Sequence, residues 1–332
     1  KLKVEEKMIG RHSGTMTAMR YMENLVYPPL LEEVRRRLDS FETDELPDSG
    51  VLEHLTQDAW YSPFPQYQAT ERPDRAAMAV LDGRVVLLTD NSPEAIILPA
   101  VCSSLFSASD DYYRHFAIVS FLRLIRYFAA FLAVSLPGLY LAVTSFHTQI
   151  LPGNLIFSLA EARAGVPFPS MVELLFLELS FELLREAGLR MPGPIGNTIG
   201  IVGGLIVGQA AVTANLVSPI VVIIVALTAL GSFSIPNEEL SEALRLVKYG
   251  MLFLCGAFGI LGLGFGWFLL LVHLAGLKSF GVSYLTPFGG EVLKNTQGLK
   301  VGLVRFPARR MTRRPVFARR GNRRRLKMWE SK

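Results

Sequence analysis

The chain has 332 residues, half of them apolar, a net charge of +5 and a mean hydropathy of +0.33. Charged residues make up 19%, against about 25% in soluble domains, and the deficit is local. Long stretches between Tyr127 and Leu277 hold no Lys, Arg, Asp or Glu, while both ends are heavily charged; this segregation excludes a uniform soluble core, and the length leaves room for two units.

Residues 1–110 read as a small soluble α/β domain. Lys1 to Gly10 is charged and lacks the apolar core of a secretory signal. The absence of an initial Met sets the expectation of a domain shortened at its start. Thr15 to Val26 suits a strand. Pro28-Pro29 opens a helix through Leu38, since proline suits a first helical turn, and Leu30, Leu31, Val34 and Leu38 share one face. Ser49 would cap a short helix over Val51 to Gln57. Ala76 to Leu81, Asp82-Gly83 and Arg84 to Thr89 read as a β-hairpin around a favoured two-residue turn. Asn91-Ser92-Pro93 is a further turn before a strand from Ala95 to Leu98. No Gly-rich phosphate loop and no metal-ligand spacing occurs here.

Residues 111–278 read as an α-helical polytopic membrane domain. Tyr127 to Phe146 is long enough to cross a bilayer core, and Pro137-Gly138 within it predicts a kink or local unwinding. Ile195 to Val212, Val217 to Phe233 and Tyr249 to His273 are three further expected spans. Four spans would place both ends in the cytoplasm, as Arg114, Arg123 and Arg126 before the first span and the basic region after the last one favour.

Val166 to Leu189 is ambiguous. It carries Glu173, Glu178, Glu182, Arg185 and Glu186 in an apolar run. Glu178, Glu182 and Arg185 share a helix face, and Glu182 and Arg185 are spaced for an i,i+3 pair. The segment is either an amphipathic helix on the membrane surface or a buried or re-entrant helix whose acids face water. A spanning helix there would raise the count to five.

Gly196, Gly200, Gly204 and Gly208 form a small-residue stripe, and Gly259, Gly262 and Gly266 form another; such stripes let helix backbones approach closely. Asn197, Thr198 and Gln209 on the first of these helices would bond across helices or line a wet path. Residues 279–332 form a basic tail. From Lys300 onward it holds thirteen Lys or Arg against Glu330 alone, so the rest of the chain carries −7. Beside apolar spans such a block points to anionic lipid headgroups, with no nucleic acid expected. Cys102 and Cys255 lie in different regions, which argues against a disulfide framework. The five histidines form no H-E-x-x-H set and no serine sits in a G-x-S-x-G elbow, so no catalysis, cofactor or metal is expected.

Several ordered stretches resemble the A-subunit family of GerA-type spore germination receptors, which includes SpoVAF-like proteins. They are Tyr61-Ser62-Pro63-Phe64-Pro65-Gln66, Thr70-Glu71-Arg72-Pro73-Asp74, Pro137-Gly138-Leu139-Tyr140, Gly165-Val166-Pro167-Phe168-Pro169, Phe181 to Gly188, Pro194-Ile195-Gly196, Gly208 to Val212, Ile235-Pro236-Asn237 and Ser279-Phe280-Gly281-Val282. The resemblance runs from about Ile9 to about Arg325 in the sequence. It implies an integral protein of the spore inner membrane that oligomerises around a central pore and releases ions when nutrient is sensed. It also implies work with a transporter-like B subunit and a lipoprotein C subunit. On this reading the pore helix is Ile195 to Val212, with Asn197, Thr198 and Gln209 at the pore, the Gly196 to Gly208 stripe for packing, and Glu178, Glu182 and Arg185 at a vestibule. A secondary transporter and a non-conducting membrane scaffold of the receptor complex are the rivals.

Overall fold

The computed structural model describes residues 1–191, 194–288, 302–307, 314–315 and 318–323; the side chains of residues 194–202, 205 and 320 lie outside that description. The chain divides into a first unit (residues 1–125, 236–243 and 271–332) and a second (residues 126–235 and 244–270).

In the first unit, β1 (Leu2–Ile9), β2 (Thr15–Met22), β3 (Gln68–Thr70), β4 (Val85–Thr89) and β5 (Ala95–Leu98) form an antiparallel sheet in the order β1-β2-β4-β5-β3. Side chains alternate across a pleated sheet, and each face has its own cover. Val85, Leu87, Ile96 and Leu98 join the core of α1 (Pro28–Leu38) and α2 (Ser49–Thr56). Val86, Ala95 and Ile97 pack beneath α3 (Pro73–Leu81) through Ala79 and Val80. On α1 the buried residues are Leu30, Leu31, Val34 and Leu38, the four that share an apolar face in the sequence. Each such burial contributes roughly 1.5–3 kcal/mol.

The hairpin expected over Ala76 to Thr89 is not formed. Pro73 opens α3 and Asp74 sits in its first turn, where a proline and an acid both favour a helix start. Gly83, at φ +91, then closes the helix: its N–H donates to the Val80 carbonyl at 3.1 Å and Arg84 N–H to Ala79 at 3.0 Å. Asp82-Gly83 therefore ends a helix in the left-handed manner glycine permits, and only the second half of the expected hairpin, β4, is a strand.

After the short helix α4 (Cys102–Leu105), α5 (Phe116–Ser145) enters the second unit. There follow α6 (Gly153–Arg163), α7 (Ser170–Arg190), α8 (Pro194–Thr213), α9 (Pro219–Phe233), α10 (Glu238–Phe258) and α11 (Ile260–Gly276). The expected unwinding at Pro137-Gly138 is absent, because α5 stays helical throughout. Small residues clamp this region: a Cβ on Gly231 would stand 2.7 Å from the Ala129 carbonyl oxygen, and one on Gly138 would stand 2.7 Å from Cys255 Sγ. Leu141, Leu174, Leu177, Val221, Val225 and Leu252 form the core of this unit, drawn from α5, α7, α9 and α10.

The single span expected over Tyr249 to His273 is also corrected. Gly259, at φ +59, separates α10 from α11. A Cβ on Gly262 would stand 2.0 Å from the Leu254 carbonyl oxygen, and one on Gly266 would stand 2.4 Å from Met251 Sδ. Residues eight apart on a continuous helix lie about 12 Å apart, so α11 folds back on α10 as a helical hairpin. The apolar run continues through Gly259, which leaves the reversal invisible to hydropathy. Among the described residues, α5 is long and apolar enough to cross a bilayer, and α9 and α11 are shorter apolar helices.

The segment after α11 returns to the first unit. β6 (Lys278–Ser279) pairs with β7 (Val282–Ser283), Phe280 lies in the α1–α2 core, and Tyr284 is fully buried. Ser279 Oγ donates to the Gln66 carbonyl at 2.6 Å, and Phe280 N–H to Asp58 Oδ2 at 2.7 Å.

Candidate functional site

The outer surface of the second unit is apolar: Phe128, Phe131, Ile223, Leu230, Phe253 and Phe265 are all exposed. Within it several charged groups are buried and paired, while Glu186 and Arg190 pair with each other at the exposed end of α7. Glu178 and Glu182, one helical turn apart on α7, face Lys248 and Arg245, three residues apart on α10. Lys248 Nζ lies 2.5 Å from Glu178 Oε2, with side chains only 6% and 3% exposed. Arg245 lies 3.4 Å from Glu182 Oε1. The reversed order of the two pairs sets α7 and α10 antiparallel. Near the start of α7, Glu173 accepts from Ser218 N–H at 2.9 Å and pairs with Arg163 of α6 at 3.2 Å. Ser218 is the N-cap of α9, so this carboxylate also meets the positive end of a helix dipole. A small cavity opens among Glu178, Phe181, Glu182, Arg185, Arg245 and Lys248.

The i,i+3 spacing of Glu182 and Arg185 is not where Glu182 finds its cation; that is Arg245, while Arg185 lies 5.6 Å over the Phe233 ring. Glu178 and Glu182, expected at a negative vestibule, each face a positive group. Arg163, Arg245 and Lys248 were missed in the sequence, although the i,i+3 spacing on α10 complements the i,i+4 spacing of the two glutamates.

Gly204 and Gly208, the described members of the α8 glycine stripe, face their own chain. A Cβ on Gly204 would stand 3.8 Å from the Phe181 ring, and one on Gly208 would stand 3.5 Å from Val222. Gly203, outside the expected stripe, is tighter, at 2.9 Å from Leu184 Cδ2. Gln209 is exposed, as is Thr213, whose hydroxyl donates to the Gln209 carbonyl at 2.8 Å. The side chains of Gly196, Asn197, Thr198 and Gly200 lie outside the described residues.

In the first unit, Glu53 of α2, Glu94 before β5 and Glu239 in the first turn of α10 are mutually repulsive. Burial first, then the charges of Glu239 and Glu94, raise Glu53 to about 8. Burial and the neighbouring acids likewise raise Glu239 to about 7. Among the described residues no cluster of His, Cys, Asp and Glu could hold a metal ion.

A family model described as Bacillus/Clostridium GerA spore germination protein matches residues 1–317. The uncharacterized membrane protein YfkQ of Bacillus subtilis (strain 168) is 40% identical over 324 residues, covering 97% of this chain and 62% of that protein. Spore germination protein B1 of the same organism is 40% identical over 315 residues, covering 95% of this chain and 65% of that protein. This chain therefore spans less than two thirds of the length of these relatives. The crystal structure of the N-terminal domain of the A subunit of the Bacillus megaterium spore germinant receptor GerK3 shares 31% identity, covering 30% of this chain and 79% of that one, at a TM-score of 0.24.

Proposed function

Because this chain belongs to the Bacillus/Clostridium GerA spore germination protein family, we propose that it is an A-type subunit of a spore germinant receptor that assembles with copies of itself and conducts ions out of the spore when nutrient is sensed. The observation that carries this reading is the inverted polarity of the second unit, with phenylalanines and leucines outside and paired charges inside. Exposed apolar surface on that scale suits lipid, and ionisable groups within a membrane are kept where they pair or serve an ion path.

Residues 1–125 and 236–243 share one unit, so the chain between them crosses the bilayer an even number of times. Helices α5, α8 and α9 supply three crossings, and α7 supplies the fourth. Its acids Glu173, Glu178 and Glu182 pair with Arg163, Lys248 and Arg245, and ionisable groups within membranes occur in such pairs facing the bundle interior. Residues 236–243 and 271–332 share the same unit, and the α10–α11 hairpin between them enters and leaves on one side. We take that shared side to be the cytoplasmic side of the spore inner membrane, as the arginines before α5 and the basic tail favour, with the tail at anionic headgroups.

The pore is assigned to α8. Gly203 and Gly204 pack against α7 and Gly208 against α9, so the face that carries Gln209 and Thr213 is the one left for water or for a second copy. B-type and lipoprotein C-type subunits complete the receptor in this reading. The test is the purified full chain in a planar bilayer, with oligomer mass measured in the same detergent. A multimer that passes cations supports the reading, and a monomer that passes no current removes it.

A further inference from the structure

The Tyr61 to Gln66 stretch is not used by the reading above, yet it builds a defined place in the first unit. Gln66 holds the loop before it: its Oε1 accepts from Asp58 N–H at 2.7 Å and Ala59 N–H at 3.0 Å, and its Nε2 donates to the Ala59 carbonyl at 2.9 Å. Ser62 Oγ lies 2.9 Å from His273 Nε2. The Phe64 ring packs between His273 at 5.8 Å and Tyr284 at 6.4 Å. The loop is thereby fixed beside the last turns of α11, and a cleft of about 410 Å³ opens among Asp58, Tyr61, His273, Gly276 and Lys278.

We propose that this cleft binds the phosphate headgroup of an anionic membrane phospholipid, with Trp60 and Tyr61 lying in the interfacial layer around it. Four observations carry the assignment. Trp60 and Tyr61 are 82% and 69% exposed although large and aromatic, and such amphipathic rings collect at the lipid–water boundary. The cleft lies where the apolar helix α11 ends at Gly276, two residues before Lys278, which is headgroup depth along the chain. Lys278 is exposed and supplies positive charge. The one acid in the lining, Asp58, is already engaged by Arg37 and by Phe280 N–H, so the balance favours an anion. A cleft of this volume falls at the small end of ligand sites.

The inference rests on the reading that α11 enters the bilayer, and the experiment separates the two. The full chain is placed in phosphatidylcholine nanodiscs containing phosphatidylglycerol with a nitroxide either near the glycerol or at the acyl-chain end. Tryptophan quenching is compared with that of Trp60→Phe. The signal lost in Trp60→Phe is expected to be quenched mainly by the shallow label, with about fivefold tighter apparent binding of labelled phosphatidylglycerol than of labelled phosphatidylcholine. Lys278→Gln should lower that preference severalfold in the Trp60 signal, leaving only what the basic tail contributes, while Lys3→Gln, far along the chain, should leave it unchanged. Trp267 of α11 should respond to the deep label. If it responds and the Trp60 signal does not, the headgroup site is wrong while the membrane reading stands. If Trp267 ignores the deep label, both fail. Displacement of the labelled lipid by inorganic phosphate would make this a free-anion site and overturn the proposal.

Discussion

Lys248 Nζ sits 2.5 Å from Glu178 Oε2 in a place almost closed to solvent, inside a helical unit whose outside is apolar. Removing one partner leaves an unpaired buried charge, which costs about 3–5 kcal/mol, while replacing both with apolar groups is often neutral. Glu178→Leu and Lys248→Leu should each lower the melting temperature of the detergent-solubilised protein sharply. The double variant should recover most of the loss. Equal losses that simply add would show that the two side chains are not coupled.

The α10–α11 hairpin depends on Gly262, where a Cβ would meet the Leu254 carbonyl oxygen at 2.0 Å, a backbone atom that cannot rotate aside. Gly262→Ala should cost at least about 1–3 kcal/mol through overpacking. Gly264→Ala is the control, since nothing lies within 4 Å of its added Cβ, and it should stay within about 0.5 kcal/mol of the parent. Matched melting curves of the two variants would contradict the reversal at Gly259.

The acid cluster of the first unit predicts a pH dependence. Glu53 and Glu239 are raised to about 8 and about 7 from an ordinary 4.5, so the fold favours their protonated forms. That contribution is full below about pH 4.5 and is lost as pH climbs through 7 and 8. Melting temperature should fall across this window, and Glu53→Gln should flatten the fall. An unchanged slope in Glu53→Gln would remove Glu53 from the account.

Much of the first unit is legible in its residues, and the exceptions are instructive. Pro28-Pro29 and the apolar face through Leu38 mark α1 without help from tertiary structure. Ala76 to Leu81 misleads because six apolar residues fit a strand or a helix equally well. Pro73-Asp74 ahead of them was the better guide than Asp82-Gly83 behind. In the second unit the hidden features are relational. Gly259 looks like its neighbours Gly262 and Gly266 until its φ is known. Glu178 looks like a solvated acid until Lys248, seventy residues later, is placed against it.

Gln209 tests the pore assignment. It is exposed on α8, while Gly208 beside it is buried against Val222. Gln209→Leu should reduce single-channel current severalfold in reconstituted protein with expression and oligomer mass unchanged. Gly204→Leu should act through packing against Phe181 and lower stability as well. Unaltered currents in both variants would take the pore away from α8.

The proposed topology requires α7 to pass through the bilayer with its charges matched. The direct measurement is labelling by an impermeant maleimide in sealed vesicles. It compares Gln149→Cys, between α5 and α6, with Arg190→Cys, at the end of α7, in a Cys102→Ser, Cys255→Ala background. Labelling of the two cysteines from opposite sides is the expected result. Labelling of both from the same side would place α7 on the membrane surface and break the count of crossings.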